Sequence, residues 1–260
     1  MNAGTSLVKL IPLGVGHSST TCFYYTNYLI IAGERRLYID CPPYLLKMLR
    51  QHREALRDPD ICVEKYSELI LTHTHMDHCA GVEELGYMSI RGRPDKPKIY
   101  APCGIHRSLW GESLVAGLRW RMEGERFVAK TYEDYFTPVY LDYEMPFDLG
   151  DGIKIEIRRV RHMPETFGLK LTFGSGISLG YSSDTGFMPE LFTWWEDCSF
   201  IIHEVHFKPD IQWHTSLDEL LSLPESVQKR IWLCHYTDDY MDYDTGYMRY
   251  LEQGAEYTLF

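Results

Sequence analysis

Four side chains that commonly bind metal ions lie within one six-residue segment, residues 73–78. They are His73, His75, Asp77 and His78, and they directly follow the apolar residues 69–71. Imidazole and carboxylate ligands suit zinc. If the preceding strand continues extended into the segment, side chains two apart share a face, so that His73 and His75 could bind one ion. Asp77 and His78 follow after the chain turns and could bind a second ion.

Two adjacent zinc ions need about seven protein ligands, so this segment alone cannot complete such a site. The best further candidates are His162, Asp184 and His235, because each follows an apolar strand at the start of a loop. Taken alone, a histidine in such a position is more often an ordinary core or surface residue. The residues by themselves leave that alternative open.

The elements that would position these residues alternate between strands and helices, which predicts a layered α/β fold with sheets inside and helices outside. A Gly-Ser-Gly turn at residues 174–176 predicts a hairpin. Near Arg158 the apolar pattern changes face, which indicates either a β-bulge or the end of the strand. Strands are predicted at residues 7–13, 27–32, 36–40, 68–72, 98–101, 153–158, 169–173, 177–181, 200–203 and 230–234, and helices at 44–56, 80–87, 104–121, 188–197 and 217–222.

The length of 260 residues and the hydrophobic content of 45% predict a single domain over residues 1–260. No apolar run reaches the length of a membrane span, and residues 1–5 lack the features of a secretory signal, so we expect a cytoplasmic protein without membrane association. Seven scattered cysteines fit reduced thiols. The net charge of −11 disfavours binding to long RNA but not to a small nucleotide.

The ligand pattern resembles that of the metallo-β-lactamase superfamily, whose order is H-x-H-x-D-H, a lone histidine, a bridging aspartate and a terminal histidine. The resemblance implies a four-layer αββα sandwich of the α/β class. It also places Asp40 behind the metal-binding loop as a supporting residue. The seven slots are filled by His73, His75 and His162 for one zinc ion, Asp77, His78 and His235 for the other, and Asp184 as the bridge.

Within that superfamily the chain looks like the ribonuclease Z branch of phosphodiesterases. Residues 203–206 resemble the branch's His-Glu-Ala-Thr motif, with Val205 and His206 at the last two positions, and residues 214–216 resemble its His-Ser-Thr motif with the hydroxyl residues exchanged. This resemblance implies a catalytic pair in which Glu204 orients and charges His214, and His214 donates a proton to the leaving oxygen. An exposed glutamate and an exposed histidine on a loop are the plain alternative.

The implied activity is hydrolysis of a phosphodiester by a hydroxide that bridges two zinc ions, with Asp77 steering the hydroxide's proton. Manganese or iron could replace zinc without altering the motif. Arg158, Arg159 and Arg161 could attract phosphate or could form a solvated strand edge. The aromatic residues within 109–143 could stack a base, form core or form a subunit interface.

The expected substrate class depends on a segment that tRNA-processing members have and this chain lacks. Members that process tRNA usually carry a long arm between the lone histidine and the bridging aspartate, but Asp184 follows His162 by only 22 positions. The chain is similar in length and organisation to phage and bacterial enzymes that degrade cyclic nucleotide signals in Pycsar antiphage defence. That resemblance implies a small nucleotide substrate, favouring 3′,5′-cyclic mononucleotides, a homodimer and a role in evading antiphage defence.

Three alternatives remain at this point. The first is a tRNA 3′-end processing endoribonuclease, for which binding would weaken steeply with salt. The second is a metal-dependent lactone or thioester hydrolase, which would not need Glu204 and His214. The third is a metal-stabilised scaffold without catalytic activity.

Overall fold

The computed structural model describes residues 7–90, 95–208 and 212–259. Residues 1–5, on which the expectation about a signal sequence rests, lie outside this part. The fold is the expected α/β sandwich, in which two seven-stranded mixed sheets are flanked by helices. Within the described ranges, no helix is both long and apolar enough to cross a membrane.

The first sheet contains the strands that precede the H-x-H-x-D-H segment. Its spatial order is β16, β1, β2, β3, β4, β5, β8, and the strands from β3 to β8 run parallel. Nearly all residues of β1 are buried, which explains why the strand contains no charged residue except the partly buried Lys9. The bounds are Val8–Gly14 (β1), Asn27–Ala32 (β2), Arg35–Ile39 (β3), Glu68–Ile70 (β4), Lys98–Ala101 (β5), Thr137–Tyr140 (β8) and Tyr257–Leu259 (β16).

The second sheet, like the first, has an antiparallel half and a parallel half. Its order is β15, β14, β13, β12, β11, β10, β9, and the strands from β12 to β15 run parallel. All residues of β12 are buried. The bounds are Phe147–Gly150 (β9), Ile153–Arg159 (β10), Phe167–Thr172 (β11), Ser178–Tyr181 (β12), Phe200–Glu204 (β13), Ile231–Cys234 (β14) and Arg249–Tyr250 (β15).

The longest helix, α1, packs an apolar face that includes Met48 and Leu49 against the core and exposes most of its other residues. The α-helices are Leu45–Leu56 (α1), Met76–Cys79 (α2), Gly81–Ser89 (α3), Cys103–Ser108 (α4), Val115–Leu118 (α5), Tyr132–Tyr135 (α6), Pro189–Trp194 (α7), Leu217–Leu221 (α8) and Glu225–Gln228 (α9). Short 3₁₀ turns occur at Val63–Lys65 and Tyr240–Asp242, and a π-helical stretch, Leu109–Leu114, joins α4 to α5.

The prediction of one helix over residues 104–121 is wrong at its C-terminal end. The helical region ends at Leu118, and the chain continues into a hairpin of β6 (Trp120–Glu123) and β7 (Arg126–Ala129). Gly124 has a φ of +63° in the turn, a conformation that glycine adopts at little cost. Both strands are only four residues long and most of their residues are exposed, so neither strand has a buried face that separates it from the preceding helix.

Two local predictions about strand ends are resolved. The ladder between β10 and β11 is continuous from Lys154 to Arg159, so there is no bulge near Arg158 and the strand simply ends. The predicted strand over residues 68–72 ends earlier, at Ile70. The hairpin at residues 174–176 is confirmed, because the amide of Gly176 donates to the carbonyl of Phe173 at 2.8 Å.

Candidate metal centre and catalytic pair

The proposed ligands lie at one edge of the sandwich, in the segments that follow the carboxyl ends of strands. The segment with His73 and His75 follows β4, His162 follows β10, Asp184 follows β12 and His235 follows β14. Parallel strands bring such segments together, which is why ligand sites are common at this edge of an α/β sheet. The first sheet contributes four ligands and the second sheet contributes three.

The structure brings all seven residues into two overlapping clusters. The ligand atoms of His73, His75, His162 and Asp184 lie within 4.8 Å of one another, and so do those of Asp77, His78, Asp184 and His235. All of these side chains except that of His75, which is partly exposed, are buried. The arrangement gives two overlapping sets of possible metal ligands that share Asp184.

Asp184 lies between the clusters and directs one oxygen to each. Its Oδ2 atom is 3.7 Å from Nε2 of His73 and 3.9 Å from Nε2 of His162. Its Oδ1 atom is 3.3 Å from Nε2 of His78 and 3.3 Å from Nδ1 of His235. A carboxylate in this orientation can bind one cation through each oxygen.

Asp40 fixes the orientation of His78 by a hydrogen bond to the ring nitrogen that faces away from the second cluster. Its Oδ1 atom accepts hydrogen bonds from the amide of Thr72 at 2.9 Å and from the Thr72 hydroxyl at 2.8 Å. Its Oδ2 atom accepts from Nδ1 of His78 at 2.8 Å. The proton of neutral His78 therefore lies on Nδ1, and the electron pair of Nε2 points into the second cluster.

The donor set fits cations, because several buried electron-pair donors converge on one another. Within the described residues, Nε2 of His73, Nε2 of His78 and Oδ1 of Asp184 are buried and make no hydrogen bond. Buried polar atoms are normally satisfied, and two lone pairs that face each other at 3.3 Å repel unless a positive charge lies between them. The chemistry of the site is that of a divalent metal centre.

His162 is oriented in the same way from the opposite side. The carbonyl of Trp213 accepts a hydrogen bond from Nδ1 of His162 at 3.0 Å. Since a carbonyl can only accept, the proton of neutral His162 lies on Nδ1 and the Nε2 electron pair is free to bind a cation. Nε2 lies 3.1 Å from Nδ1 of His75, so both nitrogens face the same point in the first cluster.

The protonation of the clusters also suits cation binding. Burial lowers the pKa of His73 well below its ordinary value, which favours the neutral imidazole. Burial alone would raise the pKa of Asp184, but the imidazoles of His235 and His78 lower it well below its ordinary value. For His78, burial opposes the charged form, but Asp184, Asp77 and Asp40 together raise its pKa well above its ordinary value. A proton therefore competes with a cation for His78.

Three residues of the site adopt the left-handed backbone region, which is uncommon for residues other than glycine. The φ angles are +61° for Asp40, +53° for Ser183 and +56° for His235. Each such residue typically costs about 1–3 kcal/mol of strain, and strain of this kind concentrates at functional sites. Here the strained residues are Asp40, which supports His78, Ser183, which precedes the shared Asp184, and His235, which is a candidate ligand.

Glu204 and His214, for which the sequence predicts a catalytic pairing, form a hydrogen bond with each other. Oε2 of the buried Glu204 accepts a hydrogen bond from Nδ1 of His214 at 2.6 Å, and its other oxygen accepts from the amide of Thr185. Burial opposes the charged form of His214, but the Glu204 carboxylate raises its pKa to about 9. Burial raises the pKa of Glu204 to about 7, against the effect of His214. Near neutral pH the proton therefore lies on His214.

The departures from the two family motifs have local structural roles. The ring of His206 stacks 6.0 Å from that of His214. Thr215 donates its hydroxyl hydrogen bond to the carbonyl of Thr185 at 2.8 Å. Ser216 caps α8 through a capping box with Glu219. These contacts hold the loop that carries His214.

A cavity of about 310 Å³ adjoins His214. Its wall includes Arg161, Phe187 and Trp213. Trp213 is 57% exposed, and Arg161 donates to the carbonyl of Phe187 at 2.8 Å, so the guanidinium is fixed at the cavity wall. Arg158 lies elsewhere, over the ring of Trp194. Among the aromatic residues of 109–143, Tyr132, Tyr135 and Phe136 are buried in the core.

The structure adds a histidine to the site that was not predicted. His17, in the loop after β1, has its ring centroid 4.9 Å from that of His235 and 5.7 Å from that of His214. A single histidine in a loop of small residues gives no local signal. Its placement depends on a hydrogen bond from its amide to the carbonyl of Tyr236, at 3.0 Å, far along the chain.

Comparisons with known proteins agree with this architecture. The family model described as "Anti-Pycsar protein Apyc1" matches residues 8–257. The chain is 32% identical over 260 residues to an anti-Pycsar protein Apyc1 from Paenibacillus sp. (strain J14), covering 97% of this chain and 99% of that protein.

Solved structures with the same fold share little sequence with this chain. The metallo-β-lactamase fold protein YhfI from Bacillus subtilis superposes with a TM-score of 0.72 at 17% identity, covering 97% of this chain and 99% of YhfI. The short form of human tRNase Z superposes with a TM-score of 0.69 at 15% identity, covering 96% of this chain and 99% of the human chain. These likenesses establish the fold.

Proposed function

Because the chain belongs to the anti-Pycsar protein Apyc1 family, we propose that it is a metal-dependent phosphodiesterase that hydrolyses cyclic nucleotides, with 3′,5′-cyclic mononucleotides favoured. The observation that carries the proposal is the juxtaposition of the two ligand clusters with the Glu204–His214 pair. The ring of His214 lies 5.2 Å from that of His162 and 5.5 Å from that of His235. A proton donor therefore faces both clusters.

The proposed cofactor is a pair of Zn²⁺ ions, for which manganese or iron could substitute. His73, His75 and His162 would bind one ion and Asp77, His78 and His235 the other, with Asp184 shared. Such a pair of cations supplies an activated water molecule and offsets negative charge on the phosphoryl oxygens.

The side chains of this protein would then divide the remaining work. Asp77, which is buried in the second cluster, would orient the attacking water as well as bind metal. His214 would donate the proton to the leaving oxygen, because Glu204 keeps that imidazole protonated near neutral pH. An unprotonated alkoxide is a poor leaving group, so the loss of this proton donor should slow the reaction strongly.

A small substrate is supported by the space around the site. The interval between His162 and Asp184 is fully described and contains only β11, β12 and the turns next to them. It therefore has no room for an arm that could hold tRNA. The cavity of about 310 Å³ beside His214 can admit a nucleobase, with Trp213 available for stacking. We further propose that the protein acts in the cytoplasm as a homodimer, in evasion of antiphage defence.

The test is to incubate zinc-loaded protein separately with cyclic mononucleotides, cyclic dinucleotides, a precursor tRNA and a generic lactone. We expect hydrolysis of cyclic mononucleotides to the linear monophosphate. Cleavage of the tRNA alone would instead identify an endoribonuclease, and cleavage of the lactone alone a carbonyl hydrolase. Inactivity on all four with full zinc content would favour a scaffold.

The matched variant is His214→Ala. Turnover of the cyclic nucleotide should fall about 10²- to 10⁴-fold, which is the usual contribution of a general acid, while zinc content measured by mass spectrometry stays complete. An unchanged rate would remove the role assigned to His214.

A further inference from the structure

His17 stands apart from the ligand set but faces the same space. The ligand atoms of His17, His214 and His235 lie within 4.8 Å of one another. The seven residues assigned to metal binding do not include His17, and the proton donor of the proposed reaction is His214. The side chain therefore directs a polar atom toward the site without a role in the proposed function.

The hydrogen bonds of His17 determine which nitrogen carries its proton. The amide of Ser19 donates to Nδ1 of His17 at 3.1 Å, and the Ser19 hydroxyl oxygen lies 2.9 Å from the same nitrogen. Since a backbone amide can only donate, Nδ1 is an acceptor. The proton of the neutral ring is on Nε2, which is consequently a hydrogen-bond donor.

His17 differs from His214 in its electrostatic partner. Within the described part of the chain, no carboxylate forms a hydrogen bond or an ion pair with His17, whereas Glu204 contacts His214 at 2.6 Å. A ring without a carboxylate partner is suited to donate a hydrogen bond and poorly suited to stabilise a full positive charge. We therefore separate its role from that of the leaving-group acid.

The loop that carries His17 is held at both ends. The carbonyl of His17 accepts from the amide of Thr20 at 2.9 Å, and Asp238 accepts from the amide of Thr21 at 2.9 Å. A Cβ atom at Gly16 would lie 2.4 Å from Cγ2 of Thr20, so the chain before His17 is packed closely. The ring of His17 is thus held by a fixed loop, as electrostatic stabilisation of a reaction requires.

We propose that the Nε2 hydrogen of His17 bonds a non-leaving phosphoryl oxygen of the substrate, making His17 a second histidine contact to the phosphate beside His214. This inference rests on the proposed phosphodiesterase function. It assigns to His17 the stabilisation of charge that develops on the phosphoryl group, and it leaves proton transfer to His214.

The test compares His17→Ala, which removes the donor, with His17→Gln, whose Nε2 amide can replace it. The substrates are the 4-nitrophenyl and the unsubstituted phenyl esters of thymidine 5′-monophosphate, which differ in leaving-group acidity. In His17→Ala we expect kcat/KM to fall about 10- to 100-fold on both esters alike, as for the loss of one hydrogen bond to a charged group. His17→Gln should recover most of this loss, and both variants should keep the wild-type zinc content.

His214→Ala serves as the contrast, because a missing leaving-group acid should cost more on the phenyl ester than on the 4-nitrophenyl ester. Two-dimensional ¹⁵N NMR of the imidazoles gives a readout that is independent of turnover and should show the Nε2–H tautomer of His17. Binding of inorganic phosphate, measured by calorimetry on zinc-loaded protein, should weaken in His17→Ala and not in His17→Gln.

The proposal is overturned if His17→Ala is as active as the wild type, if His17→Gln is no better than His17→Ala, or if the ring is the Nδ1–H tautomer. A loss of zinc in His17→Ala would show a metal-binding or structural role instead. A loss confined to the phenyl ester would make His17 a leaving-group acid. If the wild type hydrolyses no phosphodiester at all, the proposed function fails and this inference fails with it, an outcome distinct from an active wild type with an equally active His17→Ala.

Discussion

Replacement of Asp40 by asparagine should remove one metal ion and leave the other bound. Asparagine has nearly the same shape as aspartate and tolerates the left-handed backbone, so the φ of +61° at position 40 can be kept. Its Oδ1 atom can still accept both hydrogen bonds from Thr72. Its amide nitrogen, however, would face Nδ1 of His78, from which the native carboxylate accepts a hydrogen bond at 2.8 Å.

The size of the effect follows from that single contact. To accept from the new amide, His78 must move its proton to Nε2, which then loses the electron pair that points into the second cluster. A hydrogen bond to a charged group contributes about 1.5–3 kcal/mol, and each 1.4 kcal/mol is a factor of ten. We therefore expect zinc affinity at the second cluster to fall about 10- to 100-fold, in line with other residues that orient metal ligands. The first cluster does not include His78 and should keep its affinity.

The measurement is a zinc titration in competition with a chromophoric chelator, with bound zinc counted by mass spectrometry. At the lowest free zinc concentration at which the wild type binds two ions per chain, Asp40→Asn should bind one ion. Asp58→Asn is the control, because Asp58 is also an aspartate in a polar contact, with Arg36 at 3.3 Å, but lies outside both clusters. Wild-type affinity for both ions in Asp40→Asn, with circular dichroism unchanged, would refute the orienting role.

Three further predictions concern catalysis and stability. Because Glu204 raises the pKa of His214 to about 9, the protonated acid is present below that pH and lost above it, so Glu204→Gln should move the alkaline limb of the kcat/KM profile to lower pH, toward the ordinary value of 6.5. Trp213→Ala should raise KM for a cyclic mononucleotide about 5- to 100-fold, the usual contribution of base stacking, with little change in kcat. Removal of zinc by a chelator should lower the unfolding temperature, and added zinc should restore it, because ligands that bind only the folded state stabilise it.

Each of these predictions has its own control. An alkaline limb unchanged in Glu204→Gln would show that another group gives rise to it. The Trp213→Ala variant should hydrolyse bis(4-nitrophenyl) phosphate, which has no nucleobase, at close to the wild-type rate, and an equal loss on both substrates would point to a disturbed loop. In the chelation experiment, magnesium should not restore the unfolding temperature, since His-rich sites favour zinc over magnesium.

Much of the candidate site could be predicted because its ligands follow buried strands. The apolar runs of β4, β12 and β14 are readable in the sequence, and parallel strands must bring the next residues to one edge. Glu204 ends β13 in the same way. The ligand residues therefore carry a local signal that the fold converts into a shared location.

The parts that were missed lack such a signal. The strands β6 and β7 are only four residues long each and mostly exposed, so no buried face distinguishes them from the end of a helix. The terminal strand β16 is only three residues long and is defined by pairing with β1 at the opposite end of the chain. His17 is likewise positioned by the distant Tyr236. Long-range partners of this kind cannot be read from a short window of sequence.

The two ligand clusters also couple assembly of the protein to its chemistry. His73, His75, Asp77 and His78 belong to the half of the chain that builds most of the first sheet, and His162, Asp184 and His235 belong to the half that builds the second. Neither half alone holds a full set of donors for either cation. Each bound ion would therefore link the two halves of the chain. If the proposed function holds, a proteolytic fragment or a nascent chain that still lacks its second half would have no metal centre and would be inactive.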